Sequence, residues 1–373
     1  MTGTTAPSRI LIVNPFGIGD VLFTTPLIRA LRHAFPDARI GYVCNRRTER
    51  ILRENPHLDD LFIYEKDELV QMLRQSWWRC ALHIVSLLWR VRQAKFDLVV
   101  DLSLGERYAF ILKLLGVPRR VGFDYHRRGR FLTERLPIDG YHDAHVVEYY
   151  RRLLAFMGIA LCDPSLELHP SSEDERWADA WLAGHQVPRG RLLVGLVPAG
   201  GVSWGVDAPF RRWSFEGFAA VGDALAERLG AQLLLFGEES DRGVCETVAR
   251  LMRHPVIDVS GQTTLGQFIS LLGRLGVVVC NDGGPLHLAV GRGVKTVSIF
   301  GPVDPRVYGP YPVDEARHKV IRRDELPCRP CYHQFRLPPC PYERACLRTI
   351  EPEAVIEACM ELLGRAGGRL QPA

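Results

Sequence analysis

The chain has 373 residues, 47% of them hydrophobic and 24% charged, with a formal net charge of +4. That balance fits a globular protein with room for two separate cores, and the small charge gives no reason to expect nucleic acid as a partner. No apolar stretch approaches the roughly 18 uninterrupted residues a membrane span requires, and the polar lead Met1–Ser8 has no secretory pattern. With ten cysteines and no export signal, reduced thiols and a cytoplasmic location are expected.

Apolar runs of strand length alternate with helical periods along the chain. Ile10–Val13, Ile40–Val43, Leu61–Ile63, Leu98–Val100 and Val121–Phe123 read as strands in the first half. Leu192–Val197, Gln232–Phe236, Val256–Val259, Val277–Cys280 and Thr296–Phe300 do so in the second. Helical periods fill the gaps, as in Val21–Phe35, Phe215–Leu229 and Leu265–Leu275. This alternation predicts an α/β protein with parallel sheets covered by helices on both faces. A polar helix over Ser172–Gly184 and a linker over His185–Arg191 separate the two series. The expected domains are therefore 1–188 and 189–373, two doubly wound Rossmann-like units facing each other across a cleft.

Two turns carry most of the chemistry. Asn14-Pro15-Phe16-Gly17-Ile18-Gly19-Asp20 follows the first strand. It lacks the third glycine of a dinucleotide fingerprint and the Gly-Lys-Ser/Thr of a P-loop. Asp20 has two readings, a helix N-cap or a base that takes a proton from a substrate hydroxyl. The second turn, Asn281-Asp282-Gly283-Gly284-Pro285-Leu286-His287, joins an apolar strand to a short helix. Open α/β sheets bind ligands at such a place, and helix N–H groups attract phosphate there. A phosphorylated or nucleotide ligand is expected.

Taken together, these segments resemble glycosyltransferase family 9, the ADP-heptose:lipopolysaccharide heptosyltransferases. The matching residues begin with Phe16–Leu22 and Thr25-Pro26-Leu27. Pro198-Ala199-Gly200, Arg211-Arg212-Trp213 and Phe218 follow. Asn281–Ala289 and Phe300-Gly301-Pro302-Val303-Asp304-Pro305 complete the series. The resemblance runs from about residue 9 to 310 and implies the GT-B architecture, an acceptor-binding first domain and a donor-binding second domain. It also implies inverting transfer that requires no cofactor or metal, with Asp20 as catalytic base.

The leaving diphosphate needs positive charge. Where the family usually has a lysine before its tryptophan, this chain has Arg211 and Arg212, so Arg211 is expected at the phosphates and Arg212 is its alternate. Asp282, Gly283, Gly284, Pro285 and His287 align with the family's diphosphate loop, Gly283 standing where a hydroxyl residue is usual. Asp282 is expected to orient the donor sugar, and His287 either packs the loop or touches a phosphate. Glu238 or Glu239, after a strand, suits the ribose diol. Gly17 and Gly19 would let an acceptor approach the first loop, with Arg127 and Arg128 beside it.

Other segments leave alternatives open. Arg119, Arg120, Arg127, Arg128 and Arg130 form either a basic acceptor loop or an ordinary solvated one. In Leu69–Gln93, Trp77, Trp78 and Trp89 beside Arg74, Arg79, Arg90 and Arg92 fit an interfacial membrane helix or a core helix with exposed arginines. Cys328, Cys331, Cys340 and Cys346 offer structural zinc or a disulfide, but free packing thiols are the preferred reading. The amphipathic pattern Glu353–Leu363 predicts a terminal helix able to pack back across the domains.

The resulting expectation is an inverting glycosyltransferase moving a heptose from ADP-heptose to a lipopolysaccharide core or lipid A acceptor. It would be cytoplasmic, with peripheral contact at the inner-membrane surface. Another nucleotide sugar or acceptor, or donor binding without turnover, is the alternative.

Overall fold

The computed structural model describes residues 6–200 and 205–364, so part of the lead Met1–Ser8 lies outside the described residues. The first series of elements is β1 (Arg9–Val13), α1 (Ile18–Leu22), α2 (Thr25–Ala34), β2 (Arg39–Cys44), α3 (Arg46–Leu52), β3 (Asp60–Ile63) and α4 (Lys66–Gln75). It continues with α5 (Trp77–Gln93), β4 (Leu98–Asp101), α6 (Glu106–Leu114), β5 (Arg119–Tyr125), β6 (Glu134–Ile138) and α7 (Val146–Phe156). The second series is α8 (Ser172–Gly184), β7 (Leu193–Val197), α9 (Phe215–Leu229), β8 (Gln232–Leu235), α10 (Arg242–Leu251), β9 (Val256–Asp258) and α11 (Leu265–Leu272). Then come β10 (Val277–Asn281), α12 (Gly284–Gly291), β11 (Lys295–Ile299), α13 (Pro305–Tyr308), β12 (His318–Ile321), α14 (Ala345–Arg348) and α15 (Pro352–Gly364).

These form two compact units, Met1–Ser165 and Leu166–Ala373. The division falls ahead of residue 188 because α8 packs with the second unit. Arg274 reaches Glu175 at 2.6 Å and Asp179 at 2.8 Å on that helix, and Arg292 reaches Glu175 at 2.9 Å.

The first unit holds a six-stranded sheet in the order β3-β2-β1-β4-β5-β6, and the second a six-stranded sheet in the order β12-β11-β10-β7-β8-β9. Every pairing is parallel, so each sheet is of the α/β, Rossmann-like kind. Chain order reverses between β1 and β4 in one sheet and between β7 and β10 in the other. Those two gaps are where a doubly wound sheet opens a crevice at its carboxyl edge.

The central strands are fully buried apolar runs, such as Ile10–Ile12 and Val277–Val279, which is why the sequence displays them. Two of the four edge strands, β6 and β12, escape that signal. In β6, Leu136 and Pro137 stand among charged neighbours with alternating exposure. Proline is tolerated there because an edge strand needs fewer donors.

The helix expected over Val21–Phe35 is two helices. Pro26 lacks the N–H that would continue the ladder to Leu22, and the Thr25 hydroxyl donates to the Leu22 carbonyl at 2.8 Å instead. The terminal helix α15 packs into the core of the second unit through Val355, Ile356, Cys359 and Leu362, beside β10 and α9 residues such as Val279 and Leu225. Cys44 and Cys280 are buried at the ends of β2 and β10, and burial pushes both thiols up, as small core residues require.

Candidate functional site

In the first unit, β1 ends at Val13 directly beside Asp101, the last residue of β4. Asn14 is fully buried and holds the turn that follows. Its Oδ1 accepts from the Phe16 N–H at 3.3 Å, and its Nδ2 donates to the Asp20 carbonyl at 3.1 Å. Asn45, capping α3, donates to the Phe16 carbonyl at 2.6 Å. Glycine at positions 17 and 19 leaves the approach to this turn uncrowded.

Gly17 is the N-cap of α1, and Asp20 is three residues further on. Asp20 is therefore not the cap itself. Its Oδ2 reaches back to accept from the Gly17 N–H at 3.2 Å, the acidic half of a capping box. Tyr42, Tyr141 and Tyr150 all feel this carboxylate. Burial, with the Asp20 charge adding to it, pushes all three phenols up. All three stay protonated.

Asp101 was missed by sequence reasoning. It is buried beside this turn, accepts from the Ser103 N–H at 2.9 Å, and burial pushes its carboxyl up to about 6. The available signal was an acid ending an apolar strand at a possible switch point. The adjacent strand β5 ends at Tyr125, and Arg127 and Arg128 are exposed just beyond it on the same sheet edge. The Arg128 guanidinium sits over the Tyr125 ring, 5.5 Å from its centroid.

The five-arginine loop expected around Phe123–His126 is not one surface. Arg119 lies at the opposite end of β5 and pairs with Glu134 at 2.6 Å. Arg120 is buried, with Nε donating to the Phe131 carbonyl at 2.8 Å, while Arg130 pairs with Glu106 at 2.8 Å. Of the five, only Arg127 and Arg128 are both exposed and without a salt bridge among the described residues.

In the second unit, Asn281 ties the switch point together. Its Nδ2 donates to the Pro198 carbonyl after β7 at 2.7 Å, and its Oδ1 accepts from the Trp213 N–H at 2.9 Å. The Trp213 indole is buried and donates to the Ile350 carbonyl at 3.1 Å. These bonds fix Arg211 and Arg212, which precede it.

Arg211 Nη2 lies 2.6 Å from Asp282 Oδ2, with both side chains largely buried. Burial pushes the Asp282 carboxyl up, and Arg211 opposes that shift. Arg212 turns elsewhere: its Nε donates to the Ala199 carbonyl at 3.1 Å and its Nη2 lies 3.4 Å from Asp241. Asp241, another residue sequence reasoning missed, also accepts from the Glu238 N–H at 3.2 Å. Arg212 is thus a latch between the turns after β7 and β8.

Glu238 and Glu239 are exposed after β8. Glu239 pairs with Arg242 at 3.0 Å. Gly283 and Gly284 lead into α12, with Pro285 in its first turn and His287 buried along it. A Cβ on Gly283 would lie 3.0 Å from the Gly200 carbonyl oxygen, so the turns after β7 and β10 meet where a side chain would begin. The edge therefore combines a buried guanidinium, an acidic partner and a helix N-terminus. That combination suits a ligand carrying both phosphate and hydroxyl groups.

Among the described residues, no group of three or more His, Cys, Asp or Glu side chains forms a metal-holding cluster. Cys328, Cys331 and Cys340 are free thiols in the segment joining β12 to α14, and Cys346 is a free, buried thiol within α14. The Cys331 N–H donates to the Pro302 carbonyl at 3.0 Å, pinning that segment beside the loop after β11.

A model of Glycosyltransferase family 9 (heptosyltransferase) matches residues 84–339. Lipopolysaccharide heptosyltransferase 3 of Escherichia coli is 26% identical over 303 residues, covering 79% of this chain and 83% of that protein. The fold is similar to the crystal structure of a family 9 glycosyl transferase from Veillonella parvula, with TM-score 0.78 and 24% identity over 96% of this chain and 97% of that one. It is also similar to the ADP-heptose lipopolysaccharide heptosyltransferase II of Escherichia coli, with TM-score 0.74 and 21% identity over 96% of this chain and 100% of that one.

Proposed function

From the premise that the chain belongs to glycosyltransferase family 9 and is a glycosyltransferase of the heptosyltransferase type, we propose that it moves a heptose from ADP-heptose to an inner-core sugar of lipopolysaccharide. The donor is suggested by the name of the similar Escherichia coli enzyme, and the acceptor by the lipopolysaccharide heptosyltransferases it resembles. The observation that carries the residue assignment is the buried Arg211–Asp282 pair, 2.6 Å apart at the head of α12.

In this reading, the second unit (Leu166–Ala373) binds the donor and the first (Met1–Ser165) binds the acceptor. Asp20 takes the proton of an acceptor hydroxyl, and its link to Gly17 fixes the orientation of the carboxylate. The hydroxyl oxygen bonds to the anomeric carbon as the bond from that carbon to the diphosphate oxygen breaks. The electron pair leaves with ADP, and the configuration inverts.

Arg211 and the first turn of α12 receive the growing phosphate charge, which needs no metal or cofactor where fixed donors already stand. Asp282 holds Arg211 and orients hydroxyls of the donor sugar. Gly283 and Gly284 let phosphate approach the backbone, Pro285 sets the helix start, and His287 packs the loop. Glu238 takes the ribose diol, because Glu239 is engaged by Arg242. Arg212 holds the turns in place, while Arg127 and Arg128 receive phosphate or carboxylate on the acceptor, with Gly17 and Gly19 beside the reacting hydroxyl. The reaction would take place on the cytoplasmic side of a membrane, where the lipid-anchored acceptor is built.

The test presents the protein with ADP-heptose, other nucleotide sugars and truncated core acceptors, measuring ADP release and the glycosylated product. Transfer from ADP-heptose to a core acceptor is expected. Consumption of another nucleotide sugar alone, or donor binding without product from any acceptor, would overturn the reading.

A further inference from the structure

Helix α5 has two apolar faces, and the fold uses only one. Cys80 and Val91 are its only buried residues, and Val91 and Leu87 pack on the core of the first unit. Trp78, Leu82, Val85 and Trp89 recur at steps of four, three and four residues, which makes a single stripe on a helix. At about 100° per residue this stripe lies nearly opposite Cys80 and Val91. Its four side chains are 50%, 61%, 60% and 60% exposed, against 5% and 6% for Cys80 and Val91. Trp77, at the start of α5, and Val70 and Leu73 on α4 are exposed as well. The helix therefore packs on the core by one face and leaves its second apolar face open.

The flanking charges select the occupant. Arg79 and Arg90, with His83, border one side of the stripe, and Arg92 borders the other. Arg74 stands at the end of α4. Arg74, Arg79 and Arg92 form no salt bridge among the described residues, and α5 contains no Asp or Glu. The Arg79 guanidinium lies over the Trp78 ring, 5.2 Å from its centroid.

A two-fold contact between copies would set these arginines against their own counterparts, with no acid on either helix to meet them. An anionic surface supplies that charge everywhere. Exposed tryptophans between arginines are also suited to the headgroup level of a bilayer. No helix among the described residues is long and apolar enough to cross a membrane, so α5 is suited to lie on a bilayer.

We infer that the exposed stripe of α5, with its bordering arginines, is a docking surface for an anionic phospholipid bilayer. Its evidence is independent of the transfer reaction, which gives it a purpose by supplying a lipid-anchored acceptor. The test sediments the full chain, without donor or acceptor, with phosphatidylethanolamine–phosphatidylglycerol vesicles and with phosphatidylcholine vesicles. It follows tryptophan emission in parallel.

Affinity for the anionic vesicles is expected to be roughly tenfold or more above that for phosphatidylcholine, with a blue shift and weakening in added salt. A variant with Trp78→Ser, Leu82→Ser, Val85→Ser and Trp89→Ser should lose most of this binding. A separate Arg79→Glu, Arg92→Glu variant should lose it while keeping the apolar stripe, and serves alone if the serine variant fails to fold. The inference is overturned by equal affinity for both vesicles, by no binding, or by unchanged binding in the charge variant. It is also overturned if the protein is a dimer that the stripe variant converts to monomer, because a second copy would then be the occupant. Loss of transfer activity leaves the binding result unaffected, so the two readings fail separately.

Discussion

Arg211 and Asp282 form a buried ion pair of 2.6 Å that joins the segment before α9 to the turn after β10. Each charge depends on the other for compensation, so truncating one leaves its partner buried and unpaired. Asp282→Ala should cost roughly 3–5 kcal/mol of stability, and Arg211→Met a similar amount. The double replacement should cost much less than the sum of the two, because neither charge is then stranded. Urea unfolding of the three variants checks this, and additive losses would show that the pair is not coupled.

Asp20→Asn keeps an oxygen that can accept from the Gly17 N–H, now bonded at 3.2 Å, but removes the carboxylate proposed as the base. Transfer should fall about 10²–10⁴-fold while donor binding and melting temperature stay close to those of the parent. Asp20→Ala should add a small loss of stability, roughly 1 kcal/mol, from the missing cap contact. If Asp20→Asn transfers heptose at near the parental rate, its capping role is its whole role.

Gly283→Ser restores a hydroxyl where the family usually carries one, yet its Cβ would lie 3.0 Å from the Gly200 carbonyl oxygen. The turn after β7 must then shift by a few tenths of an ångström, and Arg212, bonded to the Ala199 carbonyl, shifts with it. Donor KM should rise several-fold, and stability should fall by roughly 1 kcal/mol. Steady-state kinetics with varied ADP-heptose measure the first effect. Tighter donor binding would mean that the hydroxyl contact outweighs the crowding.

How much of this was legible depended on burial. The central strands appear in the sequence as apolar runs because both of their faces are covered, whereas edge strand β6, with Pro137 and alternating exposure, resembles a loop. The turns at Asp20 and Asp282 could be found because glycines and a strand-to-helix change mark them. The pairing of Arg211 with Asp282 and of Arg212 with Asp241 could not. Those residues lie far apart in sequence, and only the β7–β10 and β7–β8 pairings of the second sheet bring their turns together. The direction of the exposed face on α5 was likewise ambiguous, because a helix with two apolar stripes has the same composition whichever one is buried.

Asp101 shows what that missing information hides. It ends β4 beside Val13, and burial raises its carboxyl from 3.8 to about 6. The folded protein therefore holds this proton more tightly than the unfolded chain does. The associated stabilisation is fully present below pH 3.8 and is lost as pH rises through about 6. Above that range, ionised Asp101 costs about 3 kcal/mol relative to its protonated form. Asp101→Asn keeps an acceptor for the Ser103 N–H but cannot ionise. The variant should be roughly 1–3 kcal/mol more stable than the parent at about pH 8, with no advantage at about pH 4. Urea unfolding at the two pH values measures this difference. An equal gain at both would mean that packing, not ionisation, distinguishes the two side chains.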